Sequence, residues 1–228
     1  MKQEPLLAVK VWDLPVRLVH WALLVLVAFQ IVSAKVGGRL IEWHLISGYC
    51  VLVLVLFRVL WGFAGSSSAR FGGFLAPPRE ALRFASRLLS RRAQAYAGHN
   101  PLGGWMVLAL LVSLLVQVGT GLFANDGIAT EGPLAALISI ELSDRLTTLH
   151  RWNLGILLVL IAVHTAAALY HWLALKENLI GAMFTGVKRL QAARVQTPIA
   201  FAGLWRALLL FLIALAAVWL LVTRLTAG

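Results

Sequence analysis

Residues 149–171 read LHRWNLGILLVLIAVHTAAALYH, one apolar stretch long enough to cross a hydrocarbon layer as a helix. It carries His150 and His164 fourteen positions apart, and fourteen steps of about 100° return to within roughly 40° of the starting face. Both imidazoles therefore point the same way. At about 1.5 Å rise per residue they stand roughly 21 Å apart along the axis, near opposite edges of a layer roughly 30 Å thick. One helix thus offers ligands for two stacked cofactors.

The remainder of the chain fits that reading. Its 228 residues are 61% hydrophobic and 13% charged, with a mean hydropathy of +0.86, which places it among integral membrane proteins. Spanning runs are expected at about 16–36, 44–64, 102–124, 149–174 and 203–225. The first is too long for a cleavable signal, lacks a small-residue exit and holds Arg17 and His20 near its start. The fold class expected is an all-α integral membrane protein. Residues 1–190 would form a four-helix transmembrane domain, and 191–228 a linker and a fifth spanning helix.

The net charge of +11 would suggest nucleic acid in a soluble protein. With the N-terminus inside, however, the Lys and Arg residues split 15 to 5 in favour of the inner segments. The positive-inside rule then sets a cytoplasmic N-terminus and a C-terminus across the membrane, with the basic surface facing anionic lipid and no nucleic acid. Residues 77–97, PPREALRFASRLLSRRAQAYA, read as a basic amphipathic helix on the inner leaflet. The loop 125–144, NDGIATEGPLAALISIELSD, is the acidic patch, either solvated or a docking surface for a basic outer redox protein. A single cysteine, Cys50, excludes a disulfide, a covalent haem motif and an iron–sulfur cluster.

Four histidines inside spans pair by depth. His20 lies near the inner end of the first helix and His44 near the outer end of the second; His150 is outer and His164 inner on the fourth. The couples His44 with His150 and His20 with His164 each give two imidazoles at one level, the demand of a six-coordinate b-type haem. His171, seven residues beyond His164, shares roughly the same face and rivals it as partner of His20. Copper or zinc would want three or four ligands converging on one point. Gly48, four residues after His44, would let a flat macrocycle lie against the backbone, or serve helix packing. Arg17, Arg58 and Arg151 are candidate propionate contacts, and each also suits an interfacial arginine. His99 and Asn100 are candidates for a quinone headgroup, against plain capping by Asn100 ahead of Pro101.

The segments VWDLPVRLVHW (11–21), EWHLISGYCVLVLVLFRVLWGF (42–63), HNPLGGWMVLALL (99–111) and 149–189 together resemble the bacterial cytochrome b561 and nickel–iron hydrogenase b-type cytochrome family. The resemblance covers the first four spans. It implies a bacterial inner-membrane location and two haem b groups held by His20, His44, His150 and His164. It also implies electron exchange between quinone or quinol and a periplasmic partner such as a c-type cytochrome, a hydrogenase or another reductase. Two other readings stand beside it: a superoxide:quinone oxidoreductase acting at the outer face, and a haem-free scaffold or transporter. Homo-oligomerisation is left open.

Overall fold

The computed structural model describes residues 6–90, 96–128, 130–191 and 199–224. Lys2, Arg91, Arg92 and Arg194 of the charge count and positions 91–95 of the 77–97 segment lie outside the described residues, and the expected 190/191 border falls within β2. Five helices among the described residues are long and apolar enough to span: α1 (Leu14–Val36), α2 (Leu40–Ala64), α5 (Pro101–Gly121), α6 (Ile140–Leu173) and α8 (Leu204–Arg224). Shorter elements are β1 (Leu6–Lys10), α3 (Phe71–Phe74), α4 (Pro78–Leu89), α7 (Leu179–Thr185) and β2 (Val187–Gln191).

Contacts divide the chain into two compact units. The first comprises Met1–Leu18, Leu60–Ala109 and Leu160–Ala207, and the second Val19–Val59, Leu110–Val159 and Leu208–Gly228.

In the first unit, Asp13 caps α1 by accepting from the Val16 amide at 2.8 Å. Its other carboxylate oxygen accepts from Trp61 Nε1 at 2.9 Å, and Trp61 is fully buried. The DLP of the first span is thus a helix start locked to an aromatic anchor. Two strands that hydropathy does not reveal pair here: β1 runs antiparallel to β2, from Leu6 opposite Gln191 to Lys10 opposite Val187. Gly186 makes the turn into β2 with φ +80°, and a Cβ there would lie 2.8 Å from the Trp12 carbonyl oxygen. Only glycine fits both demands. α4 is helical over Pro78–Leu89 of the 77–97 segment, with Pro78 in its first turn, Glu80 near its N-terminus and Arg87 near its C-terminus. Phe84 is buried, whereas Leu82 is 72% exposed.

In the second unit, the loop after α5 folds back on the start of α6. Asn125 donates through Nδ2 to Ser143 Oγ at 2.7 Å and Asp144 Oδ1 at 2.9 Å, and Asp126 Oδ1 accepts from the Ile128 and Thr130 amides. These carboxylates are bound into loop structure. α6 begins at Ile140, nine residues before the expected start at 149. The polar IELSDRLTT is invisible to hydropathy, yet Ser139 Oγ accepts from the Leu142 amide and starts the helix there. Its 34 residues make about 51 Å, longer than a hydrocarbon layer of about 30 Å.

Candidate functional site

The second unit brings the rings of His44 on α2 and His150 on α6 together edge-on, with centroids 6.4 Å apart and planes at 75°. Metal–imidazole bonds of about 2 Å each would allow ring centroids about 6 Å apart, so this spacing fits a pair of imidazoles that would hold one iron between them.

The shell around these rings sets their chemistry. His150 Nδ1 lies 2.8 Å from the Gln117 carbonyl oxygen and 3.3 Å from Thr120 Oγ1, and its Nε2 lies 3.1 Å from Gln117 Nε2. Asn153 Nδ2 donates to Gln117 Oε1 at 2.7 Å and to the Ser113 carbonyl at 2.9 Å. One proton arrangement satisfies every bond. The Gln117 carbonyl takes Nδ1–H, so Nε2 is the basic nitrogen and accepts from the Gln117 amide. That neutral tautomer is the one a metal requires, and a backbone carbonyl on the far nitrogen is the usual way of fixing it. His44 is held likewise: its Nδ1 lies 3.2 Å from the Gln30 carbonyl oxygen and 3.2 Å from Ser33 Oγ. Gln30 Nε2 donates to the His44 carbonyl at 2.6 Å and to Ser47 Oγ at 2.8 Å.

Ser33, Ser47, Ser113, Thr120 and Asn153 are all buried. Each sits in an otherwise apolar helix, where a buried polar group without a partner would be costly. None was singled out by the sequence reading. Gln30, Gln117 and Asn153 inside spans were the available signal. The third span, α5, carries no histidine, yet it supplies Gln117, Thr120 and Gly121. A Cβ on Gly121 would lie 3.0 Å from His150 Cε1, whereas one on Gly48 would meet only Gln30 Nε2 at 3.4 Å. The glycine that admits an imidazole is therefore Gly121.

The other expected site residues are placed as follows. His20, in the second unit, is half-buried with Trp21 edge-on at 5.1 Å. His164, in the first unit, is half-buried on α6. Arg17 donates to the Phe184 carbonyl, Arg58 is buried and Arg151 is exposed. In the first unit the His99 ring lies between Trp12 and Phe74, 4.6 Å from each, and Asn100 Oδ1 accepts from the Gly103 amide at 2.7 Å. Asn100 is thus the cap of α5.

His171 belongs to an ionic cluster. Its Nδ1 lies 2.7 Å from Glu177 Oε2, and Lys188 Nζ lies 2.5 Å from Glu177 Oε1 and donates to the Tyr96 carbonyl at 2.7 Å. Burial pushes the Glu177 carboxyl up, but hydrogen bonds from His171 and Lys188 and the Lys188 charge outweigh it and hold it below the usual carboxylate value.

Residues 11–186 match the family described as prokaryotic cytochrome b561. The chain is 24% identical over 218 residues to a probable Ni/Fe-hydrogenase B-type cytochrome subunit of Bradyrhizobium diazoefficiens, covering 79% of this chain and 86% of that protein. Proteins of the same description match at 24% identity in Rhodobacter capsulatus (83% and 84% covered) and at 26% in Azotobacter vinelandii (78% and 88%). No solved structure gives a significant match.

Proposed function

The chain belongs to the prokaryotic cytochrome b561 family and is a multi-pass membrane b-type cytochrome that transfers electrons; on that premise we propose that His44 and His150 are the axial ligands of one haem b, and His20 and His164 those of a second. The observation that carries the first pair is the 6.4 Å ring separation, with each Nδ1 held against a backbone carbonyl. The second pair rests on the fourteen-residue spacing along one helix and on the family resemblance. His164 is favoured over His171 because fourteen residues from His150 keep both levels within the bilayer, whereas 21 residues would set them roughly 31 Å apart along the axis.

When bound, haem supplies reversible one-electron chemistry. This chain's residues fix ligand tautomer and orientation, and they do so at the first pair with amides, hydroxyls and carbonyls. A neutral shell avoids the cost of an ion inside a membrane and keeps Nε2 of each ring a neutral donor. Among the propionate candidates Arg58 ranks first, since a guanidinium buried in a spanning helix suits a buried carboxylate. Arg17 is engaged by the Phe184 carbonyl and Arg151 is exposed.

The electron path proposed runs between quinone or quinol and a redox partner at the periplasmic face, with the N-terminus cytoplasmic by the charge split. A hydrogenase is the partner that the relatives' names favour; a c-type cytochrome or another reductase is the wider class. The test is a reduced-minus-oxidised spectrum with haem quantification. Wild type should bind two haems per chain, His44→Ala and His150→Ala should each lose the same one, and His20→Ala and His164→Ala the other. Loss of different haems by His44→Ala and His150→Ala would sink the pairing.

A further inference from the structure

Along α4, Arg79, Arg83 and Arg87 recur every fourth residue and line a cavity of about 410 Å³ together with Glu80, Phe84 and Tyr96. Such a volume lies in the range of small-ligand sites, about 300–1,000 Å³. We propose that this cleft binds a phosphate group, presented by an anionic phospholipid headgroup or by a free phosphate compound.

Three guanidiniums against one carboxylate leave the lining positive, and like charges four residues apart on a helix repel one another. An anion between them removes that repulsion. Guanidinium forks match phosphate oxygens in pairs, which an ammonium does not. The other wall is fixed. Phe84 is 4% exposed, Tyr96 meets it edge-on at 5.6 Å, and the Tyr96 carbonyl is held by Lys188 Nζ at 2.7 Å. Leu82, on the same helix and 72% exposed, offers the apolar contact that an acyl chain beside a headgroup would take. The site is independent of haem ligation, so its failure leaves the proposed function standing.

The test is native mass spectrometry of the purified holoprotein after exchange into phosphatidylglycerol or phosphatidylcholine. Wild type should retain phosphatidylglycerol about tenfold better than Arg83→Gln and better than it retains phosphatidylcholine. Arg83→Lys, which keeps the charge without the fork, should retain an intermediate amount. Arg189→Gln removes the same charge from an exposed position on β2 and should match wild type. An unchanged haem spectrum checks the fold of each variant. A second arm adds inorganic phosphate. Displacement of the lipid at equal molarity assigns the site to a free phosphate compound, and persistence assigns it to the lipid. Equal retention by wild type and Arg83→Gln, or an equal loss in Arg189→Gln, overturns the proposal.

Discussion

His150 and His171 ride on the same helix and are held by opposite chemistry. In the second unit His150 is surrounded by neutral groups: a backbone carbonyl and an amide of Gln117, and the Thr120 hydroxyl. In the first unit His171 meets a carboxylate that also carries an ammonium. The difference separates two uses of a buried histidine. A shell of neutral dipoles holds the ring in one tautomer whose Nε2 is the basic nitrogen, which suits a ligand. A carboxylate and an ammonium instead make an ion cluster that joins the end of α6 to β2.

The comparison breaks most readily at the rings themselves. His150→Ala should abolish one haem outright, whereas His171→Ala should keep both and lower thermal stability in detergent. Haem loss in His171→Ala would instead make it a ligand and remove the contrast.

The next largest effect belongs to Glu177. Glu177→Gln strands Lys188, which is 7% exposed, without its counter-charge and should cost about 3 kcal/mol. Because the carboxyl is depressed, its contribution is fully present above the ordinary value of 4.5 and is lost as pH falls through the lowered value. Unfolding followed against pH should show a steeper acid limb in wild type than in Glu177→Gln; parallel curves would contradict the cluster.

Gln117→Leu should leave haem bound and shift its midpoint potential by tens of millivolts, the scale of one neutral hydrogen bond of about 1 kcal/mol. Redox titration checks this, and Asn153→Ala should move the potential in the same direction by a smaller amount. An unmoved potential in both would mean that the shell only packs.

The smallest effect is expected at Gly121. Gly121→Ala forces the His150 ring to give by a few tenths of an ångström, while alanine's helix preference returns up to about 1 kcal/mol. Stability should change by less than about 0.5 kcal/mol, and the low-spin electron paramagnetic resonance signal of the haem should shift. An identical signal would place the ring elsewhere.

Much of this contrast was legible in the chain, and the illegible part has a common cause. Hydropathy located five spans to within a few residues at most ends, and helical spacing put His150 and His164 on one face. The start of α6 escaped because IELSDRLTT is polar and only Ser139 capping reveals it. The first strand pair escaped because Leu6–Lys10 and Val187–Gln191 are far apart in sequence and each is too short to carry a signal alone. Gly121 escaped because it lies on another helix from His150, and only packing brings it so close that a Cβ there would lie 3.0 Å from that imidazole.

The sequence by itself determined the membrane class, the spans and the spacing of the histidines along them, since these follow from local hydropathy and a repeat of about 100° per residue. Tertiary structure alone decided which groups satisfy each ring. The partners of His44 come from eleven and fourteen residues earlier on α1, and those of His150 from thirty and thirty-three residues earlier on α5. No local rule links residues so far apart. Only the packing of helices in a medium that leaves no polar group to water brings Gln30 and Gln117 to the two imidazoles.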